Sequence, residues 1–304
     1  MPQHIGRRAV AASALLASAA LLAAGCASNP ASTPAGGSSP SASAGSDPKS
    51  LVPAAVKAKG TLTVASDASY APNEFFDKDG KTIIGMDADL AKALGTELGL
   101  SVSIQEVTFD SIIPGMAAGK YDLGMSSFTD TKQREATVDF VTYFSAGSSL
   151  MVKAGNPENL STTDLSLCGK AMAVEKGTVQ EGTDIPADTA KCKAAGKPEV
   201  KTLSFDDQNG ANLALSSGRA DGVLADSPVA AYAAQQSGGK FIISGQPYGT
   251  APYGIAIPKG NGMAPAVLAA LKALMANGQY TQIMTKWGIQ AGAITNPVID
   301  GATS

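Results

Sequence analysis

Two stretches of this chain, "AGKYDLGMSS" (118–127) and "SGRADGVLAD" (217–226), follow one pattern: a small residue, Gly, a basic residue, one variable position, Asp, then an apolar run. Each comes after a Phe-Asp pair, Phe109-Asp110 in the first case and Phe205-Asp206 in the second. A match of this length is either coincidence or the trace of two similar lobes, each ending an equivalent strand in a polar group. In the shared register Ser127 falls opposite Asp226. One lobe then offers hydroxyls, with Arg134 close behind, and the other a carboxylate.

The surroundings suit an α/β sheet. "GTLTVASD" (60–67) reads as a strand ending at Asp67. "MDADLAKALGTELG" (86–99) repeats Leu90, Leu94 and Leu98 at helical spacing, with Asp87 placed to cap its start. "SVSIQEV" (101–107) alternates like a strand, and "SIIPGMAAG" (111–119) reads as a short helix ended by Gly119. Strands alternating with helices build sheets whose ligands sit at the carboxyl ends of the strands.

Composition removes several functions. The chain has 304 residues and a formal net charge of −3. Setting aside Arg7 and Arg8 of the leader leaves a balance of −5, unsuited to neutralising nucleic-acid phosphates. The single histidine, His4, lies in that leader. The remainder therefore has no Ser-His-Asp triad, no Cys-His pair and no imidazole-ligated zinc, and neither a metal nor a cofactor is expected.

Residues 7–26, "RRAVAASALLASAALLAAGC", place two arginines before an apolar run too short to span a bilayer, then small residues and a cysteine. This is a secretory signal over 1–25. Its ending is similar to a bacterial lipobox, which implies lipidation of Cys26, although Leu22 sits one place further from the cysteine than is commonest. The Ser/Ala/Pro/Gly tract up to residue 50 reads as a disordered tether of roughly 25–30 Å reach. The expected location is extracytoplasmic, at the cell membrane through a lipid anchor. Export puts Cys168 and Cys192 in an oxidising compartment, where as the one remaining pair they are expected to form a disulfide.

Arg134 and Asp226 together suit a zwitterion. The guanidinium and the donors near Ser127 and Thr129 would take an α-carboxylate, and Asp226 an α-ammonium. The acidic residues Asp67, Glu74 and Glu175 favour a polar or basic amino acid over an acidic one.

Six ordered blocks carry a family likeness: "VASDASYAPNEFFDKDG" (64–80), "GMDADLAKALGTELGL" (85–100), "FDSIIPGMAAGKYDLGMSSFTDTKQREATVDF" (109–140), "EKGTVQ" (175–180), "GRADGVLADSP" (218–228) and "NGQYTQIMTKWGI" (277–289). Over about 61–290 the chain resembles the family 3 extracellular solute-binding proteins of polar amino-acid ABC transporters. The resemblance implies a two-lobed type II periplasmic-binding fold with a two-crossing hinge. Lobe 1 would comprise about 51–146 and 252–304 and lobe 2 about 150–247, with crossings near Ser145–Ser149 and Gln246–Ala251. It assigns the ligand carboxylate to Arg134, Ser127, Thr129 and Thr178, the ammonium to Asp226, and further contacts to Asp67, Tyr70 and Phe109. Glu175 faces the same cleft. The Gly85–Leu90 block is assigned to helix start and packing, and Trp287 to the core. A monomer that delivers its amino acid to an ABC permease follows. The alternatives are a dehydratase-like enzyme on the same fold and a ligand-sensing module.

Overall fold

The computed structural model describes residues 47–303. The signal sequence, Cys26 and most of the tether lie outside the described residues. The described residues begin at Asp47, before the expected tether end at residue 50. The Asp47 carboxylate accepts the Lys49 N–H, Pro48 opens a helix over Pro48–Leu51, and Val52 is buried directly after it.

The strands are β1 (Thr61–Ser66), β2 (Ser69–Tyr70), β3 (Glu74–Phe76), β4 (Ile83–Ile84), β5 (Ser101–Glu106), β6 (Leu123–Gly124), β7 (Val138–Lys153), β8 (Ala171–Glu175), β9 (Lys201–Phe205), β10 (Gly222–Asp226) and β11 (Phe241–Pro258). Eight of them form one sheet in the order β5-β1-β6-β11-β7-β10-β8-β9, and β2, β3 and β4 form a small second sheet. β1 runs parallel to β5 and β6, and β8 runs parallel to β9 and β10. Each flank therefore has the same plan, with the first strand central, the second outside it and the third inside, and helices between. The repeat seen in the sequence spans the entry into β6 and into β10, the equivalent third strands.

Between the flanks lie β7 and β11, antiparallel and 16 and 18 residues long. One half of this ribbon pairs with β6 and the other with β10. Its register slips between Ser244 and Tyr248 and again between Tyr248 and Ala251. The apolar side chains divide accordingly. Leu62, Val64, Leu90, Leu94, Ile255 and Leu271 belong to one buried cluster, and Met151, Ala211, Leu215 and Val223 to another. Tyr70 crosses that division. By chain it is part of the first flank, yet it packs in the cluster of the second.

The helix Met86–Leu98 buries Leu90, Leu94 and Leu98 as their spacing dictates. Asp87 does not cap it. The helix opens at Gly85, with φ of +127° and the Asn73 carbonyl so close that a Cβ would lie 2.2 Å from its oxygen, which only glycine allows. Asp87 points inward instead. Trp287 packs at the edge of the first cluster, with its indole N–H on Asp89. Cys168 and Cys192 are joined as a disulfide with Cα atoms 5.5 Å apart, inside the second flank.

Candidate functional site

The carboxyl ends of β6, β8 and β10, with Tyr70 of β2, line one small cavity. Eight of the nine ligand residues expected from the sequence lie on its wall, together with Ser126, Val179 and Gln180. Asp67 is the exception and sits one layer behind. Its Oδ1 accepts the Ser69 N–H at 3.0 Å and its Oδ2 the Phe109 N–H at 3.0 Å.

Arg134 stands on a single helical turn, Lys132–Glu135, whose start is held by the Thr131 hydroxyl accepting the Arg134 N–H. Its guanidinium donates to the Thr129 carbonyl at 2.7 Å and to the Gly177 carbonyl at 2.9 Å. It also lies 5.4 Å from the ring centres of both Phe109 and Phe128, which stack on each other at 4.5 Å. The side chain keeps some solvent contact, yet protein atoms crowd the charge. Desolvation lowers its pKa to about 10 while Asp226 pulls it upward. The eight ion pairs among the described residues are all made by lysines. Arg134 is thus a crowded cation bonded to two neutral carbonyls, with no carboxylate beside it.

Across the cavity Asp226 is buried. Its Oδ1 accepts the Gln180 amide at 2.7 Å and its Oδ2 the Tyr253 hydroxyl at 2.6 Å, and its own N–H donates to the Tyr70 hydroxyl at 3.1 Å. Burial raises its pKa to about 6, against the opposing pull of Tyr253, Gln180 and Arg134. The backbone of Asp226 occupies the cap position of the helix Ser227–Gln236, but the side chain makes no capping bond. The carboxylate is turned to the cavity.

Three of the expected donors are already engaged. The Ser127 N–H donates to Asp87 Oδ2 at 2.9 Å and its hydroxyl to Glu74 Oε2 at 3.1 Å. Ser127 also sits at φ +52°, a left-handed backbone held by those inward bonds. The Thr178 hydroxyl donates to the Glu175 carbonyl at 2.7 Å. Glu175 lies 2% exposed, and its Oε1 has no hydrogen-bond partner among the described residues.

The profile of the bacterial extracellular solute-binding proteins, family 3, matches residues 62–290. The chain belongs to that family. It is 37% identical over 257 residues to the arginine-binding protein ArgT of Corynebacterium glutamicum, covering 83% of this chain and 82% of the relative. An ancestral arginine-binding protein solved with arginine bound superposes with a TM-score of 0.68 at 35% identity, covering 75% of this chain and 98% of the other. An ancestral amino-acid-binding protein described as a precursor of cyclohexadienyl dehydratase superposes at 0.66 with 35% identity, over 77% and 97% of the two chains. The two-lobed α/β architecture of these neighbours is the fold described above.

This family 3 protein supports its cavity with residues behind the wall, among them Glu74, which the sequence reading placed facing the cleft. Glu74 is fully buried beneath Ser126 and Ser127 and accepts both hydroxyls, and the Asn73 amide donates to the Ser127 hydroxyl at 2.9 Å. Asp87 accepts the Tyr143 hydroxyl at 2.9 Å besides the Ser127 N–H. The Gly85–Leu90 block therefore reaches the site through Asp87, against its assignment to packing alone. Burial and then repulsion from Asp87 push Glu74 well above the ordinary carboxylate range. Gln180 lay within the "EKGTVQ" block and Glu74 within "APNEF", so both were visible as polar residues in cleft-facing segments. Tyr253 had no such signal. It comes from β11, brought to Asp226 by the ribbon register.

Proposed function

We propose that the chain captures a polar or basic L-amino acid outside the cytoplasm by closing its two lobes and hands it to an ABC permease. The observation that carries this reading is the pairing of Arg134, a crowded guanidinium bonded to neutral carbonyls only, with Asp226 across the same small cavity. An α-carboxylate gives Arg134 its missing anion, and an α-ammonium gives Asp226 a cation. Charge-assisted bonds of this kind are worth about 1.5–3 kcal/mol each when desolvated.

The lobes are 51–146 with 252–304, and 150–247, and β7 and β11 cross between them where the ribbon register slips. Several contacts latch the lobes in the closed form: Arg134 on the Gly177 carbonyl, the Tyr70 hydroxyl with the Asp226 N–H, and the Ser69 hydroxyl with the Gln208 N–H at 3.0 Å. A ligand favours closure only to the extent that it binds the closed form better, which is what a guest gripped from both lobes does. The leader, Cys26 and the tether fit a monomer anchored to the outer membrane face by lipid. We read it as a carrier and not an enzyme, because both the curated relative and the arginine-bound neighbour are named as binding proteins.

A thermal-shift screen of the 20 amino acids tests the reading. Ligand at 100 times its dissociation constant should stabilise the protein by about 2.7 kcal/mol. Silence to every amino acid, or steady turnover of one of them, would refute it. A Cys26→Ser variant that stays with the membrane would refute the anchor alone.

A further inference from the structure

We propose that the C-terminal strap, residues 293–302, is a positioning element of the ligand site: two of its last backbone N–H groups hold Asp130 and Glu135, and through them set Arg134 for the guest's α-carboxylate. This rests on the amino-acid reading above. It goes further by assigning part of that grip to residues outside the cavity wall.

The strap first covers an open edge. β10 pairs with β7 only over residues 148–152, which leaves the earlier half of β7 paired with β11 alone. The strap lies along that free edge. Ala293 pairs with Phe144 and Ile299 with Val141, the Thr142 N–H donates to the Val298 carbonyl at 2.9 Å, and the Asp300 N–H to the Phe140 carbonyl at 2.9 Å. The next two residues go past this pairing and donate to the segment that carries Arg134. The Gly301 N–H reaches Asp130 Oδ2 at 2.8 Å and the Ala302 N–H reaches Glu135 Oε1 at 3.0 Å. Close packing holds the strap in place here, since a Cβ on Gly301 would lie 2.7 Å from the Thr142 methyl. The family match ends at residue 290, so the shared fold does not account for these contacts.

Asp130 and Glu135 flank the turn on which Arg134 stands. β11 supplies one hold on this segment, with the Gly254 N–H on the Phe128 carbonyl and the Asp130 N–H on the Pro252 carbonyl, both at 2.8 Å. The strap supplies the second. Asp130 is 1% exposed, its Oδ1 has no hydrogen-bond partner, and the Gly301 N–H is the one donor to its Oδ2 among the described residues. Glu135 and Asp300 add like charge around it. A buried carboxyl stripped of its donor is costly, and its relief is to swing toward water. Asp130 directly follows Thr129, whose carbonyl accepts the guanidinium at 2.7 Å, and Glu135 directly follows Arg134 itself. Displacing either one displaces Arg134.

Deleting residues 301–304 removes both N–H donors and keeps the β7 pairing at Val298 and Asp300. Two of the chain's four arginines, Arg7 and Arg8, lie in the leader. The exported protein, isotopically labelled at arginine, therefore gives two guanidinium signals, from Arg134 and Arg219. In the ligand-free deletion variant the Arg134 Nε–H signal should shift or broaden, while that of Arg219, exposed beside Phe205, stays in place. Calorimetry should show L-arginine and L-glutamine weakened by the same factor, about tenfold, because both present the same carboxylate. Glu135→Ala should weaken both about fivefold, and Glu135→Gln, which keeps an acceptor for the Ala302 N–H, by less than about twofold. Lys132→Ala removes the exposed Lys132–Glu135 pair and should change neither. Either an unmoved Arg134 signal or unchanged affinities in the deletion variant overturns this inference while the amino-acid reading stands. If the unmodified protein binds neither L-arginine nor L-glutamine, the role in capture falls. The amino-acid reading falls with it only if the screen of all 20 is silent as well.

Discussion

The two flanks of the sheet share a strand order and differ in the charge they place at its end. In the first, the chain leaves β6 through Ser126, Ser127 and Thr129 to Arg134. In the second, β10 ends on Asp226 itself. The scaffold is the same and the poles are opposite. A repeated α/β unit therefore fixes where a site forms, and a few residues past the third strand fix what it attracts. The flanks also stabilise their charges differently. Arg134 is held by carbonyls and two aromatic rings, which leave its charge unmatched. Asp226 is held by two neutral donors, Gln180 and Tyr253, which support its charge but do not cancel it. Each pole is ordered in advance and still lacks a counter-charge, which suits a guest that carries both.

Removing the first pole should have the largest effect. Arg134→Ala is expected to weaken every amino acid by about a thousandfold, since losing one partner of a desolvated pair costs 2–5 kcal/mol and strands the other charge. Arg134→Lys should recover only part of that loss, because an ammonium cannot make the paired planar contact. A thermal-shift response that survives in Arg134→Ala would show that the flanks do not divide the guest as described.

The flanks differ also in covalent support. The Cys168–Cys192 bridge lies wholly in the second, closing a loop with a sequence separation of 24. The chain-entropy model gives it about 3.5 kcal/mol. Replacing both cysteines with serine should lower stability by about that amount in urea titrations and leave ligand affinity in place, because the bridge is remote from the cavity wall. Equal affinity loss would mean that the bridge also sets the position of Glu175 or Asp226.

Removing the second pole should cost less than removing the first. Asp226→Asn keeps the shape and the Gln180 and Tyr253 partners, and is expected to weaken binding about 30- to 100-fold. Acid should imitate it. Burial raises Asp226 to about 6, so protonation sets in below that value and removes the ammonium's partner. Affinity should therefore fall by up to tenfold per unit as pH drops below about 6. In Asp226→Asn that particular dependence should disappear, and titration calorimetry across pH 4.5–7.5 would show whether it does.

The sequence made the framework legible where burial follows local periodicity. β1, the helix Met86–Leu98, β6 and β10 all stood out by their patterns, and so did the charged residues past their ends. The central ribbon was harder. β7 is buried along nearly all its length yet is interrupted by Thr, Ser and Gly, and β11 is largely exposed in its first half and buried in its second, so neither alternation nor a uniform apolar run marks them. Asp226 was visible as a charge ending an apolar strand, and Arg134 through the family block that contains it. Their supports were not, since hydrogen-bond partners depend on register. Tyr253 reaches Asp226 only through the β7–β11 pairing, and Asp87 looked like a helix cap because its spacing fits one. The turn of Ser127 to a left-handed backbone, which redirects its donors inward, has no signature in residue type.

The smallest expected effect separates the two carboxyl pairs, one in each layer of the site. Glu175 lines the cavity with Asp67 behind it, whereas Glu74 and Asp87 are sealed beneath it, at 0% and 1% exposure. The sealed pair has no access to a guest, so its proton should respond to folding and not to ligand. Glu74 is raised well above its ordinary value by burial and then by Asp87. For a carboxyl raised in the folded state, the stabilisation is complete below the unfolded value of about 4.3 and is lost as pH rises through the folded one. The protein should therefore lose stability on the alkaline side. Glu74→Gln keeps one oxygen for a serine hydroxyl and puts an amide N–H₂ where the other oxygen accepted the second, so that hydroxyl must turn to accept, and the neutral-pH difference should be about 1 kcal/mol. Its stability should also decline less between pH 7 and 10. Melting curves of the two proteins that run parallel across that range would show that Glu74 is already ionised in the native protein, and that Ser127 is held by charge and not by a shared proton.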